Sequence, residues 1–315
     1  MDLPAETQLR WTIGRMARLL DLGAEPVRGL VLPDGNFFPD RFDGTPESVE
    51  ALFRRTLGHA GLGDLDVHLG LVTAEGETKS CSSGACGGGG DIDVRVTRVQ
   101  RRGAGYDVLV PAGEIGHPVV LTTGLVRSVA TMFLFEVDGY EEFDPREAEP
   151  VTDLAAALLG FGVLVTNGAY VYMKGCSGAR VHAATKLPLD QLSIALATFC
   201  ALHGVDAGLA RRHLELTQRE AFDEATAWAR SNASLVRSLR DNRRAIVADA
   251  YRIAPARSWL ARALGIGGKR KPDPTDDLDE LERALAAGTP KPAREIDAAK
   301  QQRLAELRKL VDESL

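Results

Sequence analysis

The sequence predicts an α+β fold, mainly α, with a small β-sheet and a helical extension at its C-terminal end. Three observations predict it. Two long apolar stretches, near 119–136 and 150–167, carry helical spacing. Three segments between residues 65 and 111 alternate apolar and polar side chains. Residues 265–315 hold 10 basic and 11 acidic residues, 21 of 51, far above the 26% charged content of the whole chain.

Element by element, Leu9, Ile13, Met16, Leu19 and Leu20 recur at helical spacing, so residues 3–22 open the chain with a helix. GLVLPDGNFFPDRFDG (29–44) is too rich in Pro, Gly and Asp for a regular element. With Phe37, Phe38 and Phe42 it reads as an ordered connection with buried aromatics. Thr45-Pro46-Glu47 sets a capping hydroxyl, a first-turn proline and an acid at a helix start, and that helix runs to His59 and stops at Gly61. LDVHLGLVTA puts Leu65, Val67, Leu69 and Leu71 on one row of a strand, residues 91–100 form a second strand, and YDVLVP (106–111) a third after the hairpin loop RRGAG. Leu121, Leu125, Val129 and Phe133 then define a helix apolar on more than one face, as a core helix is. Further helices are expected near 150–167, 188–203, 206–230 and 232–250. The body thus covers 1–250, a linker over 251–275 takes in most of GIGGKRKPDPTDD (265–277), and a charged helical tail covers 276–315. Leu304, Leu307, Leu310 and Val311 give the tail a narrow apolar stripe suited to docking.

Composition excludes several classes of function. With 38 Lys plus Arg against 44 Asp plus Glu, the net charge is −6, which lacks the electrostatic footprint of a nucleic-acid binder. Residues 207–262 are locally basic, with 11 Arg, no Lys and 6 acids, and read as an ion-paired solvated face. No stretch approaches the ~18–20 uninterrupted apolar residues of a membrane span. The start, MDLPAETQLRW, does not read as a signal peptide, and four cysteines are few. The expectation is a cytoplasmic protein with reduced thiols.

The chemistry-bearing pattern lies in LVRSVATMFLFEV (125–137), the acidic loop after it, and EPVTDLAAALLGFGVLVTN (149–167). Together they resemble bacterial zincin-like metallopeptidase homologues of the gluzincin type, in which a helix ending His-Glu-x-x-His precedes a Glu-Pro-x-Thr-Asp helix. FFPDRFDGTPESVEALFRR (37–55) and YDVLVP extend the resemblance over about residues 10–230. It implies a zincin-like helical core. In such a site two histidines on one helix face hold zinc, the intervening Glu polarises the bound water, and a second helix adds a Glu ligand and an orienting Asp. Glu149 and Asp153 match that second half. The first half reads Thr131-Met132-Phe133-Leu134-Phe135, so both imidazoles and the general base are replaced at Thr131, Met132 and Phe135. One carboxylate cannot hold zinc against water, and no zinc or other cofactor is expected. Glu149 and Asp153 then have two readings: carboxylates favoured in the first turn of a helix, or the lining of a retained ligand cleft.

Other candidates carry less. Gly113-Glu114-Ile115-Gly116-His117 mimics the zinc motif, but flanking Pro111 and Pro118 and two glycines work against a helix there. Cys81 and Cys86, in a Gly/Ser loop, are either incidental, a redox-sensitive pair, or zinc ligands together with Cys176; Cys200 reads as a core residue. Gly87–Gly90 lacks the Lys-Ser/Thr of a phosphate cradle, and His59, His68, His182, His203 and His213 show no ligand spacing.

The leading expectation is a catalytically inactive metallopeptidase-like protein, a pseudoenzyme that binds a protein or peptide partner. The alternatives are a metal- or thiol-dependent enzyme using Cys81, Cys86 and Cys176 with Glu149 and Asp153, and a structural subunit of a larger assembly. Partner and oligomeric state are not encoded in any pattern found here.

Overall fold

In the computed structural model, residues 3–72, 98–175 and 178–254 are described. The architecture is mainly helical with a small mixed sheet. Helices α1 (Glu6–Asp21) and α2 (Pro46–His59) come first, followed by β1 (Val67–Val72), β2 (Val99–Arg102) and β3 (Gly105–Pro111). Then come α3 (Pro118–Glu136), α4 (Ala148–Ala156), a π-helical turn over Ala157–Phe161, and α5 (Gly162–Gly168). A hairpin of β4 (Val171–Gly175) and β5 (Gly178–His182) precedes α6 (Leu189–His203), α7 (Ala207–Arg212), α8 (Leu216–Ser231), α9 (Ala233–Asp241) and α10 (Arg243–Val247).

The core is built on α3, the α4–α5 rod and α6. These helices are apolar nearly all round, which a helix tolerates only when neighbours cover every face. α3 packs on α4 and α5, α5 on α6, and α6 on α8, α9 and α1. By length and composition alone Pro118–Glu136 and Pro145–Gly168 could cross a membrane, but their most apolar windows are 72% and 83% buried within the fold. They occupy the position of core helices.

Glycine at 160 permits the π-turn. Its φ is +101°, a conformation side chains avoid, and a Cβ there would meet the Gly29 carbonyl oxygen at 2.3 Å. The Gly160 carbonyl instead accepts the Val31 amide at 2.9 Å, so the rod bends where the 24–33 connection crosses it.

The three-stranded sheet has the order β1-β3-β2, with β1 parallel and β2 antiparallel to β3. Tyr106, Val108 and Val110 of β3 face inward beneath α3. Register places Val67, Leu69 and Leu71 beside them. Burial fades along that edge row, from 4% exposure at Val67 to 36% at Leu71.

The sequence signals for α1, α2, α3 and α6 correspond closely to the observed helices. Elsewhere the structure departs from expectation. The helix expected over 206–230 breaks between Arg212 and Leu216, where the Asn167 side chain donates to the His213 carbonyl and accepts from the Glu215 amide. One amide thereby satisfies backbone groups that the break releases. The helix expected over 232–250 breaks at Asn242, whose side chain caps α10 at Ala245. The β4–β5 hairpin was not foreseen.

The 29–44 connection buries Leu30, Val31 and Leu32 rather than its phenylalanines. Phe37 and Phe38 are half-buried, edge-on to His59, and Phe42 is 38% exposed. Past the expected end of the body, Tyr251 donates to the Arg10 carbonyl, and Ala254 exchanges two hydrogen bonds with the Asn232 side chain. Residues 73–97 and 255–315, which include most of the second expected strand, most of the linker and all of the tail, lie outside the described residues.

Candidate functional site

Two of the positions singled out in the sequence, Glu149 and Asp153, meet at Arg127 of α3, one helical turn before Thr131. Its guanidinium is 9% exposed and bridges two carboxylates of α4. Nε donates to Asp153 Oδ1 at 2.6 Å, and Nη2 donates to Glu149 Oε2 at 2.6 Å. Asp153 is fully buried, and its second oxygen accepts the backbone amides of Lys186 and Leu187 at 2.6 and 2.8 Å. This carboxylate therefore ties α3, α4 and the approach to α6 together. Burial pushes the Asp153 carboxyl upward, while Arg127 and the two amides oppose that push. Burial also works against the charge on Arg127, yet Asp153 and Glu149 hold the guanidinium above its ordinary value.

Thr131, Met132 and Phe135, the positions that the resemblance marks on α3, lead in different directions. Thr131 Oγ1 donates to the Arg127 carbonyl at 3.0 Å, within its own helix. Met132 is fully buried in the core. Phe135 stacks on Tyr106, with ring centroids 6.1 Å apart, and meets Tyr140 edge-on at 5.2 Å. The guanidinium of Arg101 lies 5.3 Å from the Phe135 centroid. Tyr106 donates to the Glu136 carboxylate, and the Tyr140 hydroxyl shares a 2.9 Å bond with Thr152. Burial raises Tyr140, opposed by hydrogen bonds to Thr152 and Thr131.

These side chains do not fit a zinc ion. A hydroxyl bound to backbone, a thioether in the core and a phenyl ring stand where the resemblance would call for imidazoles and a base. Both carboxylates are already bound by a fixed cation, which would repel a metal. Among the described residues, no group of three or more His, Cys, Asp or Glu is placed to hold a metal ion. The geometry gives Glu149 and Asp153 a third arrangement beside the two readings, an ion cluster with Arg127. Asp153 is fully buried, and Glu149, 64% exposed, leans onto Arg127.

Glu114 of the motif-like segment is also fully buried, in a tight turn at Ala112–Glu114. Arg98 grips both its oxygens, Nη1 donating to Oε2 at 3.0 Å. Gly124 of α3 makes the space, because a Cβ there would lie 2.4 Å from an Arg98 nitrogen. Cys200 is buried in α6, and burial, reinforced by Asp206, pushes its thiol up to about 12. It is protonated at neutral pH and not a nucleophile. Cys81, Cys86 and Cys176 lie outside the described residues.

A cavity of about 460 Å³ opens near the opposite end of α3. Phe38, Phe42, Leu52, Leu121 and Leu164 give it apolar walls, and Asp40 and Arg41 stand among its polar groups. Leu121 precedes Arg127 by six residues, ~9 Å along a helix at 1.5 Å per residue, and none of the cavity's lining residues belongs to the Arg127, Glu149 and Asp153 cluster. The cavity is thus separate from the ion cluster, and Phe38 and Phe42 line it instead of filling the core. Arg127 itself escaped the sequence reading, although a lone arginine inside an apolar helix was the available signal, since a buried charge must have partners.

Comparison with models of protein families, with curated proteins and with solved structures finds no match.

Proposed function

We propose that this chain is a non-catalytic binding protein on a zincin-like helical core, which takes an apolar anchor of a peptide or protein partner into the cavity beside α3. One observation carries the reading. The positions that would run metal-dependent hydrolysis are occupied by Met132 in the core, Phe135 in an aromatic stack and carboxylates clamped by Arg127, whereas the open apolar cavity lies elsewhere. A volume of about 460 Å³ sits within the range of ligand pockets, and its aromatic and leucyl walls suit a buried side-chain anchor.

Two measurements test the reading. Protein purified without a metal-binding tag should carry below ~0.1 equivalent of zinc, and hydrolysis that a chelator abolishes would overturn the inactive assignment. A displayed peptide library selected on the wild type should yield sequences with an aromatic or leucyl anchor. Leu121→Trp, which fills the cavity, should lose them. Equal retention by wild type and variant would remove the cavity from the binding role.

A further inference from the structure

The basic stretch noted in the sequence is not uniformly ion-paired. Arg211 is matched with Asp223 at 2.7 Å, and Arg243 reaches Asp21 and Glu25 at 3.5 and 3.3 Å. Arg230 of α8 and Arg237 and Arg240 of α9 are exposed and make no ion pair among the described residues. All three border one groove of about 280 Å³ between the ends of α6 and α8 and the flank of α9. Its floor is Ala201, Leu202, Ala229, Ala233 and Val236, mostly side chains small enough for another backbone to approach closely.

Three fixed positive charges around one depression repel one another, and an anion laid between them relieves that repulsion. The field reaches the neighbouring helix end. His203 is depressed chiefly by burial; Glu25 opposes the shift, and Arg240 adds to it.

The groove's chemistry selects among anions. At about 280 Å³ it lies just below the ~300–1,000 Å³ usual for whole small-molecule sites. Among the described residues no aromatic side chain lines it for stacking bases, and the net charge of −6 disfavours a polyphosphate chain running across the surface. A concave apolar floor with charge only at its rim fits a peptide strand or helix better than a flat lipid surface. We propose that this groove is a second binding site, for an acidic peptide segment that sets carboxylates against Arg230, Arg237 and Arg240 and rests small apolar side chains on the alanine floor.

Fluorescence anisotropy with the full chain tests it. The probe is a labelled peptide alternating Glu with Ala and Leu, compared with the same peptide bearing Gln in place of Glu. The wild type should bind the Glu peptide and not the Gln peptide, with affinity falling as salt rises. Arg237→Glu/Arg240→Glu should weaken binding by ~100-fold, and Arg244→Glu, exposed on α10 outside the groove, by less than ~2-fold. Equal binding of both peptides, absence of binding by the wild type at ~1 mM, or unchanged affinity in a double variant with a wild-type melting curve would each overturn the site. Displacement of the peptide by inorganic phosphate or by anionic phospholipid vesicles, with the same arginine dependence, would overturn the peptide assignment in favour of those anions. Should the double variant not fold, the Glu-to-Gln comparison and Arg230→Gln on an otherwise native chain decide the same question. Leu121→Trp should leave this binding intact, so failure here and failure at the apolar cavity are distinguishable.

Discussion

Arg127 shows how one side chain can redefine a site. Its charge is affordable inside the helical core only because Asp153 and Glu149 meet it, and Asp153 is bearable there because a guanidinium and two amides meet it in turn. Arg127→Met should therefore cost about 3–5 kcal/mol in urea unfolding, because it strands the Asp153 carboxylate in the core. Arg127→Met with Asp153→Leu should recover much of that loss; a double variant as unstable as the single would show that the cluster does not act as a pair. Glu149→Gln, at an exposed end, should cost no more than ~1 kcal/mol. Gly160 provides a second case, where backbone rather than charge decides. With φ at +101° and the Gly29 carbonyl in the way, Gly160→Ala should destabilise by at least ~2 kcal/mol. Gly14→Ala, within α1 and with open space around its Cα, should stabilise by ~0.5–1 kcal/mol. Equal effects at the two positions in thermal unfolding would refute the account of the bend.

Among the elements, α1 and the N-terminus of α4 are joined by Glu147, which accepts from Trp11 at 2.7 Å and from Arg15 at 2.7 and 2.8 Å. The hydrogen bond from Arg15, with Trp11 adding to it against the penalty of burial, holds the Glu147 carboxyl below its ordinary value of 4.5. A lowered carboxyl contributes stability above the unfolded-state value and loses it as pH falls through the folded-state value. The wild type should thus exceed Glu147→Gln by ~0.5–1 kcal/mol at pH 7, and the difference should shrink progressively as pH falls below the ordinary carboxyl value. A pH-independent difference would place its origin in packing. The start of α2 was legible from a local signal. Thr45 caps α2 by accepting from the Ser48 amide, as Thr-Pro-Glu announces. The break at 213–215 was not legible, because the group that satisfies it, Asn167, lies 46 residues away from His213; the break at 242 carried a local signal, the Asn242 cap on Ala245, that helical spacing alone does not register.

The buried apolar residues from α1 through α10 form one continuous cluster. That continuity argues for joint melting despite a length at which intermediates are common. In a Trp259→Phe background, fluorescence of Trp11 on α1 and Trp228 on α8 should follow the same denaturation midpoint as far-ultraviolet circular dichroism. Separated midpoints would divide the core into independent parts.

By itself the sequence determined the mainly helical class, the positions of the core helices and the presence of an alcohol, a thioether and a phenyl ring at Thr131, Met132 and Phe135. All of these follow from spacing and chemical type along the chain. Only the tertiary structure decided that Arg127 claims Glu149 and Asp153, that Phe38 and Phe42 wall a cavity rather than plug the core, and that three arginines of the basic stretch go unpaired around a groove. Which charge finds a partner depends on distances across helices far apart in the chain, and local spacing does not encode those distances.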